Sequence, residues 1–169
     1  PRKIAGKARQ IGYSWAMALD AAMRAVVGRN QLIVSRTARQ SRRLMAMVYL
    51  HLDALAAAGV RGARRPKGAT ETRTECVLAS GAEIVALPAK PETIRGYTGD
   101  VHLDEFALHA DAAEIIAAVV PATTLGFTVS IASTPFGDDG EFTRVYRDAE
   151  RLGFERHTTS IHDAVAAGF

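Results

Sequence analysis

Residues Gly6 to Ser14 read GKARQIGYS, and the fold of this chain turns on that stretch. A phosphate-binding loop follows G-x-x-x-x-G-K-[ST], with a lysine just before the closing hydroxyl residue. Gly12 and Ser14 occupy the expected places, but Tyr13 stands where the lysine belongs and Lys7 lies at the opposite end of the loop. Lys3 to Gly6 predicts a short strand before it, and SWAMALDAAMRAVV, Ser14 to Val27, predicts a helix after it, ended by Gly28 and Asn30. Strand, loop and helix in this order bring exposed amides and a helix N-terminus together on an anion. A loop that curls around its anion brings its two ends together, so Lys7 stays within reach of the phosphates. Ser14 has two readings, a ligand for Mg²⁺ or a plain helix cap.

The same alternation continues along the chain. QLIVS, Gln31 to Ser35, is a continuous apolar run expected where both faces of a sheet are covered. A long helix follows over Ala38 to Ala58, closed by Gly59. Thr74 to Ser80 and Glu83 to Leu87 flank Gly81-Ala82 and predict a hairpin. Strands over Asp100 to Phe106, Phe127 to Ser133 and Phe154 to Thr159 are separated by helices over Ala110 to Val119 and Glu141 to Leu152. Strands alternating with helices predict one α/β domain, with a mostly parallel sheet, helices on both faces and a small antiparallel insertion.

Composition excludes several classes. With 169 residues, 48% hydrophobic and 23% charged, the chain is long enough to bury a substantial core and is not a disordered tail. No apolar run reaches the ~18 residues of a membrane span. No apolar signal segment follows Pro1-Arg2-Lys3, so an intracellular protein is expected. The single cysteine, Cys76, has no partner for an internal disulfide and reads as a buried strand position. The net charge of +3 is concentrated in RGARRPK, Arg61 to Lys67. That segment is either a solvated basic loop or a contact to a phosphate backbone through Arg61, Arg64, Arg65 and Lys67.

In open parallel sheets ligands collect at the carboxyl ends of strands, so the other strand ends carry the next clues. The strand from Asp100 ends in Asp104-Glu105. Paired carboxylates after an apolar strand match a Walker B pattern, in which the first holds Mg²⁺ and the second deprotonates the attacking water. The alternative is two acids at a strand-to-helix junction. His102 within that strand reads as a satisfied core histidine. The strand from Phe127 ends in SIASTPFGDDGEF, where Pro135 and Gly137 force a turn and leave Ser133 and Thr134 at the sheet's edge. Asp138 and Asp139 read as turn-formers, and His157, His162 and Asp163 are too scattered for a metal site.

Together KARQIGYS, LDEFALH and STPFG resemble the ATPase domain of tailed-phage terminase large subunits, particularly the Mu-like prophage type, over nearly the whole chain. NQLIVSRTARQS, TIRGYTGD and HDAVAAGF extend the resemblance. It implies a P-loop NTPase of the RecA or helicase-like (ASCE) kind, binding ATP and Mg²⁺. By that resemblance, residues Lys7, Ala8, Arg9, Gln10, Ile11, Gly12, Tyr13 and Ser14 form a deviant Walker A loop with its lysine at the start. Arg9 is then a cis arginine finger or a structural arginine, Asp104 and Ser14 hold Mg²⁺, and Glu105 is the catalytic base. Ser133, Thr134 and Pro135 match the coupling motif, while Arg95 fits the family pattern without a role. The resemblance further implies translocation of double-stranded DNA into a procapsid by a homo-oligomeric ring, with a portal protein and a small terminase subunit, in the bacterial host's cytoplasm. The adenine-contacting segment that the family places upstream and the downstream nuclease domain are both expected to be missing, so DNA cleavage is not expected. Two other readings stand beside this one, a helicase-like translocase of another kind and a non-catalytic nucleotide- or DNA-binding module.

Overall fold

The computed structural model describes residues 1–64, 72–135 and 137–168; the side chains of 122 and 123 are also outside the description. Strand β1 (Arg2–Lys7) runs into the loop, and helix α1 (Tyr13–Val26) follows it. β2 (Gln31–Ser35) leads to the long helix α2 (Ala38–Ala57), and β3 (Glu75–Val77) and β4 (Glu83–Pro88) form the hairpin. A short helix α3 (Pro91–Arg95) precedes β5 (Asp100–Asp104). Then come α4 (Ala112–Val119), β6 (Val129–Ser133), α5 (Glu141–Arg147), β7 (Glu155–Thr159) and α6 (Ile161–Ala166).

The strands form one seven-stranded sheet in the order β3-β4-β2-β5-β6-β1-β7. Only β3 pairs antiparallel among them. This is the expected mostly parallel α/β sheet with a small antiparallel insertion. Consecutive residues of a strand face opposite sides, and β2 divides its apolar run accordingly. Leu32 and Val34 pack with Ile4, Val101, Leu103, Ile131, Phe106, Ile115 and Phe142 on one face. Ile33 packs on the other face with Ile84, Ala86 and the buried sides of α1 and α2. On α1 that side is Ala18, Ala21, Ala22 and Ala25, all without exposed surface. Small side chains let the helix lie close to the sheet, which is why an alanine-rich segment serves here.

Several boundaries differ from expectation. β5 stops at Asp104 because Glu105 takes a left-handed backbone (φ 52), and a 3₁₀ turn over Phe106–Leu108 follows. The helix expected from Ala110 begins at Ala112, and α5 ends at Arg147 rather than near Leu152. β3 is confined to Glu75–Val77, because the Leu78–Ala82 turn closes the hairpin earlier than the apolar pattern suggests. α3 and α6 are additional. α3 is started by Pro91 at its first turn. α6 is started by a capping box in which Ser160 and Asp163 bond each other's backbone amides.

A polar cluster anchors the amino end of β5. The Arg29 guanidinium donates to both oxygens of Asp100, at 2.8 and 2.6 Å, and Gln31 Nε2 and the Thr128 amide also donate to that carboxylate. Burial alone pushes the Asp100 carboxyl up, but Arg29, Thr128 and Gln31 outweigh it and hold the pKa at about 2. His102 is fully buried and bonds Gln31 Oε1 through Nε2 at 2.9 Å. Burial pushes its pKa down to about 4, so it is a neutral core histidine, as its sequence context predicts. Cys76 is a buried free thiol on β3.

Candidate nucleotide site

Sheet order explains why three separated motifs meet. β6 lies between β5 and β1, all three parallel, so Asp104, Ser133 and Lys7 end adjacent strands on one edge of the sheet. The loop after β1 then climbs to α1 through Gly12, whose φ of 76° is left-handed. Glycine has no Cβ to obstruct that conformation. α1 has no side-chain cap and no acidic residue in its first turn, so its first amides and positive dipole end remain available to an anion.

Tyr13 solves the problem raised by the loop's missing lysine. Its ring packs with Ala5, Met17 and Ala132 in a small apolar cluster between α1 and the sheet. Burial raises its phenol pKa, with Asp104 and Asp20 acting in the same direction, so it stays protonated. Lys7 is buried at the end of β1. Its Nζ donates to Glu105 Oε1 at 2.6 Å. Lys7 is 4% exposed and Glu105 26%.

The Ser14 hydroxyl donates to Asp104 Oδ2 at 2.8 Å, while Asp104 Oδ1 accepts the Glu105 amide at 3.1 Å. Burial pushes the Asp104 carboxyl up, opposed by the Ser14 hydrogen bond and by Lys7, and Glu105 adds to the rise. A hydroxyl and a carboxylate oxygen in contact are a donor pair suited to a hard divalent cation. His109 Nε2 donates to the Asp104 carbonyl at 3.1 Å and pins the strand end, and burial lowers its pKa. On β6, Ser133 Oγ accepts the Ala107 amide at 3.0 Å and donates to the Thr134 carbonyl. Ser133 therefore ties the end of β6 to the turn after Glu105. Thr134 Oγ1 is buried and has no hydrogen-bond partner among the described residues.

Two cavities flank Glu105. The larger, of about 500 Å³, is lined by Lys7, Gly12, Ser14, Asp104 and residues of α2 including Arg43. The smaller, of about 270 Å³, is lined by Arg9, Leu108 and Thr134. Gln10, Gln40 and Glu105 belong to both and form the wall between them. Gln10 and Glu105 are the two non-glycine residues with left-handed backbones among the described residues. Each such conformation costs on the order of 1–2 kcal/mol, and both sit on this wall.

Not every residue singled out in the sequence comes to the site. Ile11 lines the larger cavity, but Ala8 lines neither, and its amide is committed to the Thr159 carbonyl at 2.9 Å. Pro135 is exposed. Arg61 and Arg64 are exposed beyond the carboxyl end of α2. The larger cavity is lined by α2 no further than Met47, and the ten residues from there to Ala57 span roughly 15 Å. Arg65 and Lys67 fall outside the described residues. Conversely, α2 delivers Gln40 and Arg43, and α1 delivers Trp15, which sequence reasoning passed over. On α2 the signal was helical spacing, since Gln40, Arg43, Leu44 and Met47 recur at three to four residues and line the same cavity.

Comparison with known proteins gives this geometry a family. The sequence model described as "Terminase large subunit, T4likevirus-type, N-terminal" matches residues 4–162. Among curated proteins the chain is similar to Mu-like prophage FluMu protein gp28 of Haemophilus influenzae, 31% identical over 98% of this chain and 35% of that protein. It is also similar to the probable terminase large subunit gp28 of Escherichia phage Mu, at 32% identity over 98% of this chain and 32% of that protein. The chain thus spans about a third of the length of these relatives. Its fold matches the Thermus phage P74-26 large terminase ATPase domain with a TM-score of 0.74, 20% identity, and coverage of 98% of this chain and 78% of that one. It matches the large terminase of another thermophilic bacteriophage, in complex with ADP, at 0.70, with 15% identity over 96% of this chain and 41% of that one. This chain therefore belongs to the terminase large subunit family, and its mostly parallel sheet has the fold of the large-terminase ATPase domains.

Proposed function

We propose that the chain is the ATP-hydrolysing motor domain of a phage DNA-packaging terminase, which couples hydrolysis to movement of double-stranded DNA into a procapsid. The observation that carries this reading is the meeting of Lys7, Ser14, Asp104, Glu105 and the unpaired Thr134 hydroxyl around two adjoining cavities. ATP would bind over Lys7 to Ser14, with the first amides of α1 available to its phosphates. Ser14 and Asp104 would hold Mg²⁺, which supplies charge neutralisation at the phosphates.

Lys7 transfers its hydrogen bond from Glu105 to a phosphate oxygen as nucleotide enters. Glu105, released, takes a proton from water as that water attacks the terminal phosphorus. The bond to the bridging oxygen breaks, and ADP and phosphate result. Arg9, across the smaller cavity, faces the charge that develops on the transferred group. Thr134 gains a partner when the terminal phosphate is present and loses it on release. Through Ser133 and the Ala107 amide, that change reaches the turn after Glu105.

A non-catalytic module has no need of a second carboxylate, so the Glu105 position favours an enzyme. Double-stranded DNA, the portal protein, the small terminase subunit and further copies of the chain in a ring are the partners this reading entails, in the host cytoplasm. The test is phosphate release by the intact protein with and without double-stranded DNA. ATP turnover that rises with DNA and is abolished by Lys7→Ala is expected. Normal turnover in Lys7→Ala refutes the role of the loop lysine.

A further inference from the structure

We propose that Gln40 is a catalytic residue of this site, donating its side-chain amide to an oxygen of the terminal phosphoryl group during hydrolysis. The inference rests on the reading of the site as an ATPase and adds a group from a helix outside the loop and strand-end motifs.

The first turn of α2 orients the Gln40 side chain. Thr37 is its N-cap, in an extended conformation, and its hydroxyl oxygen accepts the Gln40 amide hydrogen at 3.2 Å. The same hydroxyl donates its own hydrogen to Gln40 Oε1, also at 3.2 Å. In the usual capping box a residue at this position bonds the backbone amide of the cap. Here the side chain bonds the hydroxyl instead, so the carbonyl half of the Gln40 amide is occupied and its plane is held. The amide nitrogen, with two hydrogens to give, makes no hydrogen bond among the described residues.

Gln40 is half-buried and belongs to the wall that separates the two cavities, beside Glu105. That wall is where the terminal phosphoryl group must sit if Lys7 and Ser14 act from the larger cavity and Arg9 and Thr134 from the smaller. A phosphoryl group in transfer spreads charge over its equatorial oxygens, and fixed donors aimed at them lower the barrier. Lys7 ends β1 and Arg9 lies in the loop after it, while Gln40 comes from a separate element, the amino end of a 20-residue helix. Its helix dipole and the neighbouring Arg43, which lines the larger cavity, favour negative charge in the same place. Gln10 also lies on the wall, but it is exposed and no contact fixes its side chain.

The experiment uses the intact protein with Gln40→Leu, Gln40→Glu and Thr37→Val, each first checked for an unchanged melting profile. Wild-type ATP turnover is measured alongside. Its absence refutes the ATPase reading itself, whereas its presence with unaffected variants refutes only the role of Gln40. Gln40→Leu is expected to lower kcat by about 10²-fold, the loss typical of one missing donor to a developing charge. Gln40→Glu keeps an acceptor for Thr37 but supplies no donor and adds a negative charge, so it falls at least as far. Thr37→Val frees the amide plane and gives a smaller loss. ADP and ADP with aluminium fluoride, a mimic of the group in transfer, provide the readout that a structural role does not move. Gln40→Leu should bind ADP normally and lose the extra affinity for the fluoride complex. Turnover within about twofold of wild type, or equal weakening of both ligands, overturns the proposal.

Discussion

Replacing Glu105 by glutamine tests the site at its most unusual contact, the 2.6 Å bond from buried Lys7. Lys7, which the proposed function assigns to phosphate, donates to Glu105, which it assigns to activating water. Nucleotide binding therefore has to exchange one charge-assisted hydrogen bond for another. Such a bond is worth about 1.5–3 kcal/mol, and the quarter exposure of Glu105 places this one at the lower end. Glu105→Gln removes the competing charge, and it also removes a negative group facing the triphosphate. Both effects act in one direction, and about 1.4 kcal/mol corresponds to roughly tenfold tighter ATP binding. Turnover moves the other way, since loss of a general base costs about 10²- to 10⁴-fold. Lys7→Ala loses both binding and turnover. Equilibrium titration of a fluorescent ATP analogue with Mg²⁺, paired with a phosphate-release assay, separates the two quantities. Retained turnover in Glu105→Gln removes Glu105 from the role of base. Unchanged or weaker ATP binding refutes the competition between phosphate and Glu105 for Lys7.

Thr134→Val removes a buried hydroxyl that has no partner, so the variant should be at least as stable as wild type, by up to about 1 kcal/mol in thermal or urea unfolding. Its ATP turnover should nevertheless fall, and a variant that is destabilised with normal turnover would show Thr134 to be a packing residue. At the other end of the sheet, the Asp100 carboxyl is held at about 2, below its ordinary value of 3.8. A depressed carboxylate stabilises the fold above its unfolded pKa, and that contribution disappears as pH falls through about 4 to 2. The loss amounts to about 2 kcal/mol. Asp100→Ala should cost about 3 kcal/mol at neutral pH, because it leaves Arg29 and the Thr128 amide without their acceptor. Its stability should also depend less on pH in the acid range, and an unchanged acid slope in urea titrations would refute this assignment.

Much of this molecule is legible in its sequence because the relevant signals are local. QLIVS, the alanine-rich stretch of α1 and the Gly81-Ala82 turn each dictate their own conformation, since periodicity and turn chemistry act over a few residues. The three motif-bearing strand ends were recognisable for the same reason, each being a short run of residues with its own chemistry. α3 and α6 escaped because they are only five and six residues long, too short for a helical period to declare itself. β5 ends earlier than its pattern predicts because Glu105 takes a left-handed backbone, which no propensity favours.

By itself, then, the sequence determined the α/β alternation, the family resemblance and the identity of the groups at the strand ends. Only the tertiary structure decided their pairing. β6 lies between β5 and β1, so residues about a hundred positions apart, Lys7 and Glu105, touch. Which strands become neighbours depends on contacts distant in the chain, and no local signal carries that information. The same holds for Tyr13, which reads as a missing lysine in the loop and proves to pack on Ala5, Met17 and Ala132 while lining the larger cavity. It holds for Gln40 too, an ordinary third residue of a helix until α2 brings it to the wall beside Glu105. The basic Arg61–Arg64 segment lies beyond the carboxyl end of α2, whereas the larger cavity takes its lining from the amino half of that helix. The chain supplies the chemical groups, and the order of its strands decides which of them can meet.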